Sequence, residues 1–251
     1  MFAVLTQSSS MPELKNLLNS IENNWVIKPD IYLMNFTDED ICCKNLKIFQ
    51  IREKKQIPLS VARNTLIKEF SLIGDSRYSH FVFLDDDCWF VDQFDSSILE
   101  PDSNYIGIAR SPQGQLLHSV DINQFNCAIS INLIVTSRNL IYFNEKLGLG
   151  APIAAGEDWD YFQEVSKLQK FKLTKKYLVT HEAFREKITR LTYCQLKEKA
   201  KSEALAVRYV STKHNIRVGN FVAKSILKGL FPFWGLRFMV KNLYFVYYYV
   251  Y

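Results

Sequence analysis

The chain has 251 residues, 48% hydrophobic and 23% charged, enough to bury the core of one domain and to carry an extension. Its net charge of +5 is too mild to single out a nucleic acid and suits an acidic partner such as a nucleotide phosphate or an anionic membrane surface. Five cysteines without CxxC spacing exclude a disulfide framework or a zinc site and fit a reducing cytosolic compartment.

In chain order, Phe2 to Leu5 reads as a strand ending at Thr6, too short for a signal peptide. Ser10, with Glu13 three residues on, has the pattern of a capping box, and Leu14, Leu17, Leu18 and Ile21 predict one apolar helical face. Ile31 to Met34 and Leu46 to Ile51 read as further strands. After Pro58 a helix is expected with Ala62, Leu66, Ile67, Phe70 and Ile73 facing inward. His80-Phe81-Val82-Phe83-Leu84 is a buried strand that runs straight into Asp85-Asp86-Asp87. Strand, helix, strand, strand, helix, strand with short links predicts an α/β fold with a mostly parallel central sheet flanked by helices. Ligands of such sheets sit beyond the carboxyl ends of the strands, where Thr6, Asn35, Asp38, Asp85, Asp86 and Asp87 all fall.

Three adjacent carboxylates repel one another unless a cation compensates, and hard divalent ions such as Mg2+ or Mn2+ bind one or two carboxylates together with substrate phosphates. The competing reading is an acidic turn that caps a helix; Cys88, Trp89, Phe90 and Val91, which return the chain to apolar surroundings, weaken it.

Further strands are expected over Tyr105 to Ala109 and Ala128 to Thr136, with a turn at Pro112-Gln113-Gly114 between them. The small, uncharged stretch Leu147 to Gly156 then leads to Glu157, Asp158 and Asp160 at the mouth of a helix. One carboxylate suffices to cap a helix, so three point to a site, and the glycines let backbone approach a ligand. Phe171 to Thr180 reads as a strand ending at His181, which alone would be an ordinary surface histidine. Residues 185 to 217 are polar with sparse apolar positions and read as helices. From Phe221 to Tyr251 every charge is basic (Lys224, Lys228, Arg237, Lys241). Between them lie Leu230, Phe231, Phe233 and Trp234, and a tyrosine-rich run from Tyr244 to Tyr251 follows, a pattern suited to a helix in a membrane interface. A core-packing helix or a dimer face is the alternative there. No stretch approaches the roughly 20 apolar residues of a spanning helix.

Four of these segments resemble the family 2 glycosyltransferases of the GT-A fold, of the bacterial type that builds surface polysaccharides such as capsule or lipopolysaccharide. Ser60-Val61-Ala62-Arg63-Asn64 resembles that family's S-x-ARN segment, and Phe83-Leu84-Asp85-Asp86-Asp87 its FLDxD element, the DxD motif. Gly148 to Asp158 resembles its glycine-rich run into GED, and His181 a histidine after the last strand. The approach to GED departs from the family, reading Tyr142-Phe143-Asn144-Glu145 where FDE is usual.

The resemblance implies a catalytic domain over 1–184, with a nucleotide-sugar half to about 110 and an acceptor half beyond. A helical extension follows over 185–251, its last part (221–251) associated with membrane. It implies that Asp85 and Asp86 contact the donor and that Asp85, Asp87 and His181 hold Mn2+ or Mg2+, with the division among the three aspartates open. Thr6, Asn35 and Asp38 would lie near the base, Arg63 near the phosphates, and Asp158 would be the general base supported by Glu157 and Asp160. The implied reaction is inverting transfer from a nucleotide-diphosphate sugar, a UDP-sugar by expectation, to a glycan or lipid-linked oligosaccharide at the cytoplasmic face of the inner membrane. Other readings are a non-catalytic membrane-surface adaptor that keeps the fold, a metal-dependent nucleotidyltransferase and a phosphotransferase.

Overall fold

In the computed structural model, which describes residues 1–74, 77–122, 127–182, 184–230 and 235–250, apolar residues on successive strands alternate between the two faces of one sheet. The elements in order are β1 (Phe2–Ser8), α1 (Met11–Asn24), β2 (Asp30–Asn35), β3 (Ile48–Arg52), α2 (Leu59–Gly74), β4 (His80–Asp85) and β5 (Cys88–Trp89). They continue with β6 (Asn104–Arg110), β7 (Leu133–Thr136), α3 (Glu157–Leu168) and β8 (Phe171–His181). Four helices close the chain: α4 (Phe184–Thr189), α5 (Tyr193–His214), α6 (Gly219–Leu230) and α7 (Leu236–Val250).

The strands form one sheet in the order β3-β2-β1-β4-β7-β6-β8-β5. The first four are parallel, as expected. Beyond β4 the sheet is mixed: β7 is antiparallel to both β4 and β6, β8 is parallel to β6, and β5 is antiparallel to β8. The expected strand from Ala128 shrinks to Leu133–Thr136, because the chain before it forms a turn of 3-10 helix at Ser130–Asn132.

Phe2, Val4, Ile31, Leu33, Val82 and Leu84 face α1, whose Leu14, Leu17, Leu18 and Ile21 are fully buried against them. Their neighbours Ala3, Leu5, Tyr32, Met34, Phe81 and Phe83 face the opposite way, toward α2 and α3. A sheet buried on both faces explains the unbroken apolar runs of β1, β2 and β4. The capping box expected at Ser10 does not form. Ser10 occupies the N-cap position, but its backbone N–H donates to Ser8 Oγ at 3.0 Å and its own hydroxyl makes no cap bond. A true capping box joins Thr192 and Gln195 at the start of α5.

The C-terminal helices build a third apolar cluster around Leu147, Ala200, Ala204, Val207, Val210, Val218 and Phe245. Half of the face that α5 buries is alanine, which carries little periodic signal in a sequence. The side chains of Ile73, on the expected inner face of α2, and of Leu230 are not among those described, and Phe231, Phe233, Trp234 and Tyr251 of the aromatic stretch lie outside the described residues. Among the described residues no helix is long and apolar enough to cross a membrane.

Candidate active site

Parallel pairing brings the carboxyl ends of β1, β2 and β4 to one edge of the sheet, with Ser8 level with Asn35 and Gln7 level with Asp85. The chain then turns through Asp86 and Asp87 into the two-residue strand β5. Its antiparallel pairing with β8 sets Cys88 opposite His181. This short pairing makes the first half of the site. His181 Nε2 lies 3.1 Å from Asp87 Oδ1, and Lys187 Nζ lies 2.7 Å from Asp87 Oδ2. Burial opposes the charge on Asp87, but hydrogen bonds and attraction from His181 and Lys187 outweigh it and hold the carboxyl well below the usual range. Burial likewise opposes protonation of His181, and Asp87 outweighs it, so that the imidazole is more basic than usual.

The donor set fits a hard divalent cation. His181 Nδ1 lies 2.8 Å from the Glu182 carbonyl oxygen, which can only accept, so Nδ1 carries a proton; Nε2, which when protonated donates to Asp87 Oδ1, would offer its lone pair to an ion on losing that proton. Asp85 opens the same turn with its side chain 38% exposed. The thiol of Cys88 is near enough to join a cluster with Asp87 and His181, but it is fully buried and burial pushes its pKa well up, so it offers no thiolate. Asp86 turns away, accepting from Ser8 Oγ at 2.5 Å, and burial raises its pKa to about 6 despite that bond.

Arg63 on α2 joins this half to the second. Its guanidinium is 2.8 Å from Asp158, 3.3 Å from Asp85 and 3.6 Å from Glu157, and it donates to Ser130 Oγ at 2.8 Å. The side chain is 4% exposed, so three carboxylates and one hydroxyl replace its water. Its neighbours in the Ser60–Asn64 segment secure the loop that leads to Glu157. Ser60 Oγ donates to the Leu147 carbonyl, while Asn64 donates to the Phe143 carbonyl at 3.0 Å and accepts from the Phe143 N–H at 2.7 Å. A Cβ on Gly148, whose φ is +102°, would meet Ser60 Oγ at 2.8 Å. Gly156, with φ +83°, begins α3 and leaves a Cβ only 2.6 Å from that of Ala206. Both positions demand glycine, for backbone conformation and for space.

Glu157 is squeezed between Arg63 and Asp158. Burial first, then Asp158, pushes its pKa up against the pull of Arg63. Asp158 gives one oxygen to Arg63 and lines a cavity of about 510 Å3 together with Asp85, His181 and Lys187. Asp160, expected to support Asp158, instead turns to α5, where Lys213 Nζ (2.8 Å) and His214 Nε2 (2.7 Å) bind its buried carboxylate. It ties the helix that carries Asp158 to α5.

The residues expected near a base are placed differently. Asn35 is fully buried, accepting from Thr37 N at 2.8 Å and donating to the Glu39 carbonyl at 2.9 Å, so it holds the turn after β2. Thr6 is buried, its hydroxyl without a hydrogen-bond partner among the described residues, and Asp38 is exposed on the loop. None of the three lines the cavity. Sequence reasoning missed Lys187 and Ser130, which sit in stretches without a recognisable pattern.

The sheet thus brings an acidic turn at one strand end, a second acidic cluster at the start of a helix and a histidine that closes the last strand to one cavity. No family model matches the sequence, and no curated relative does. Among solved structures, the chain is similar to mannosyltransferase PcManGT from Pyrobaculum calidifontis, determined in complex with GDP-Man and Mn2+. The likeness covers 99% of this chain and 86% of that one, at a TM-score of 0.60 and 9% identity, and at that identity it establishes the fold.

Proposed function

We propose that this protein is a metal-dependent glycosyltransferase that moves a sugar from a nucleotide-diphosphate donor to an acceptor hydroxyl with inversion. The observation that carries the proposal is that Asp85, Asp158, His181 and Lys187 line one cavity. That is the layout a single displacement needs: a cationic seat for the departing diphosphate and a separate carboxylate for the attacking hydroxyl.

Asp87 and His181, with Asp85 beside them, are the residues that would hold Mn2+ or Mg2+. The metal, when bound, supplies electrostatic stabilisation of the leaving diphosphate. Lys187 adds a positive charge at the same place. Asp158 is the general base. Arg63 occupies one of its oxygens and fixes its orientation, leaving the other to accept the proton of the hydroxyl. Glu157, whose burial favours its protonated form, supports Arg63 rather than competing as base.

We further assign residues 1–184 to the catalytic unit and 185–251 to a helical extension, acting peripherally at the cytoplasmic face of the inner membrane in surface polysaccharide synthesis. The basic charge of 221–251 and the apolar stripe that α7 leaves exposed support this. The test is a panel of nucleotide-sugars, UDP- and GDP-linked among them, scored for thermal stabilisation with and without Mn2+. At least one donor should stabilise wild type in a Mn2+-dependent manner and fail to stabilise Asp87→Ala. Absence of any metal-dependent shift across the panel, or an equal shift in Asp87→Ala, overturns the reading.

A further inference from the structure

Lys187 stands where a divalent ion would bind. Its Nζ lies 2.7 Å from Asp87 Oδ2 and 3.2 Å from His181 Nε2, so one ammonium touches both side chains that would be ligands. Those two side chains already face each other, with His181 Nε2 3.1 Å from Asp87 Oδ1. An ion bound to both must come within about 2.1 Å of an oxygen and of a nitrogen. An ammonium in contact with the same two groups repels such an ion at close range and competes with it for Asp87.

Lys187 is placed to move, and Arg63 is not. Arg63 is 4% exposed and divides its donors among Asp85, Asp158 and Ser130. Lys187 is 39% exposed, on a four-carbon stem whose rotamers interchange rapidly at a surface. Its base is anchored, because Ile188, next to it on α4, is 1% exposed, so the side chain can swing without disturbing the helix. Off Asp87, the ammonium needs another anion. Glu182 lines the same cavity, but Arg190 holds it at 2.7 Å, and Asp85 is held by Arg63 at 3.3 Å. The diphosphate of a nucleotide-sugar, which comes with the ion, is the anion that can take the ammonium up.

Resting on the transferase reading, we propose that Lys187 is a displaceable occupant of the ion's seat, which yields Asp87 and His181 to the metal and passes its ammonium to the donor's diphosphate. The lysine thereby ties the binding of the two together. The ion alone has to evict Lys187 without compensation, whereas ion and diphosphate together give the ammonium a new partner. Each tightens the other by the same factor, whichever binds first.

The test is calorimetric titration of the full chain with Mn2+, alone and at saturating GDP or UDP. Wild type is compared with Lys187→Gln and with Arg190→Gln. The second variant removes a charge from the same stretch, on a side chain 72% exposed and paired with Glu182 rather than Asp87. Lys187→Gln should bind Mn2+ alone about tenfold more tightly than wild type, the weight of one charge-assisted contact, and the further tightening by nucleotide should shrink by about the same factor. Arg190→Gln should titrate like wild type in both states. An affinity of Lys187→Gln for Mn2+ alone that is equal to or below that of wild type, or a gain matched by Arg190→Gln, overturns the proposal. Nucleotide binding keeps the two readings apart. Mn2+-dependent binding of GDP or UDP to wild type, beside an unchanged Mn2+ affinity in Lys187→Gln, removes only the role of Lys187. A wild type that binds neither nucleotide in a Mn2+-dependent manner removes the transferase reading itself.

Discussion

Arg63 decides what the acidic residues of this protein can do. Four charged groups gather at one buried point, and the guanidinium, held within 3.6 Å of three carboxylates, keeps them from repelling one another apart. Asp158 and Glu157 are neighbours in sequence with different environments, which divides their roles. Asp158→Asn preserves the bond to Arg63 but removes the proton acceptor. Turnover should fall by about 10² to 10⁴ with donor affinity nearly unchanged, as measured by steady-state kinetics beside calorimetry. Wild-type turnover in that variant would move the base elsewhere. Glu157 carries a pH signature. Its pKa is raised from the ordinary 4.5 by burial and by Asp158, so the folded chain keeps a proton that the unfolded chain has released. That contribution to stability is complete below 4.5 and is lost as pH climbs through the raised value. Glu157→Gln should therefore leave the melting temperature unchanged at pH 4 and raise it relative to wild type at pH 8. Parallel melting curves for the two proteins across that range would contradict the assignment.

At the scale of elements, the legibility of the sequence was uneven for physical reasons. β1, β2 and β4 could be read because both faces of their sheet are covered, and α1 because its buried leucines fall on one stripe. β5 could not be read: two residues have no periodicity, and the pairing that places His181 beside Asp87 is a long-range event. The antiparallel β7 was equally hidden, since nothing local fixes the direction of a four-residue strand. Local pattern misled at Ser10, where Ser8 takes the backbone donor, and at Asp160, whose partners lie on α5. Of the site, the two acidic clusters could be located from their places at a strand end and a helix start and Arg63 from the family resemblance, whereas Lys187 could not, because it lies in a polar stretch that only tertiary packing organises. The glycine at the head of α3 offers a test of that packing. Gly156→Ala adds a methyl 2.6 Å from Ala206 and forces alanine to a φ of +83°. We expect a loss of about 2 kcal/mol in urea unfolding, from strain and overpacking together; a loss below about 0.5 kcal/mol would show that α5 can shift at little cost.

For the molecule as a whole, the C-terminal helices have two faces. Phe245, Lys241 and Asn242 of α7 are buried against the rest of the protein, while Leu236, Leu243, Tyr247 and Val250 recur at helical spacing and are exposed. Deleting the segment would thus open the cavity and expose the face of α5 it covers. The proposed membrane contact is better tested on the outer stripe. Leu243→Ser with Tyr247→Ser should reduce co-sedimentation with anionic vesicles severalfold while leaving the melting temperature near that of wild type. Unaltered co-sedimentation would assign any binding to another surface.

The two-residue pairing of β5 with β8 also governs when, during synthesis, the protein acquires its chemistry. The triple aspartate leaves the ribosome long before its companions, for Lys187 follows Asp87 by 100 residues and His181 arrives only with the last strand. On the proposed function, a partly made chain therefore carries the three carboxylates without the imidazole that would complete a seat for an ion, and metal-dependent chemistry would require β8 to be in place.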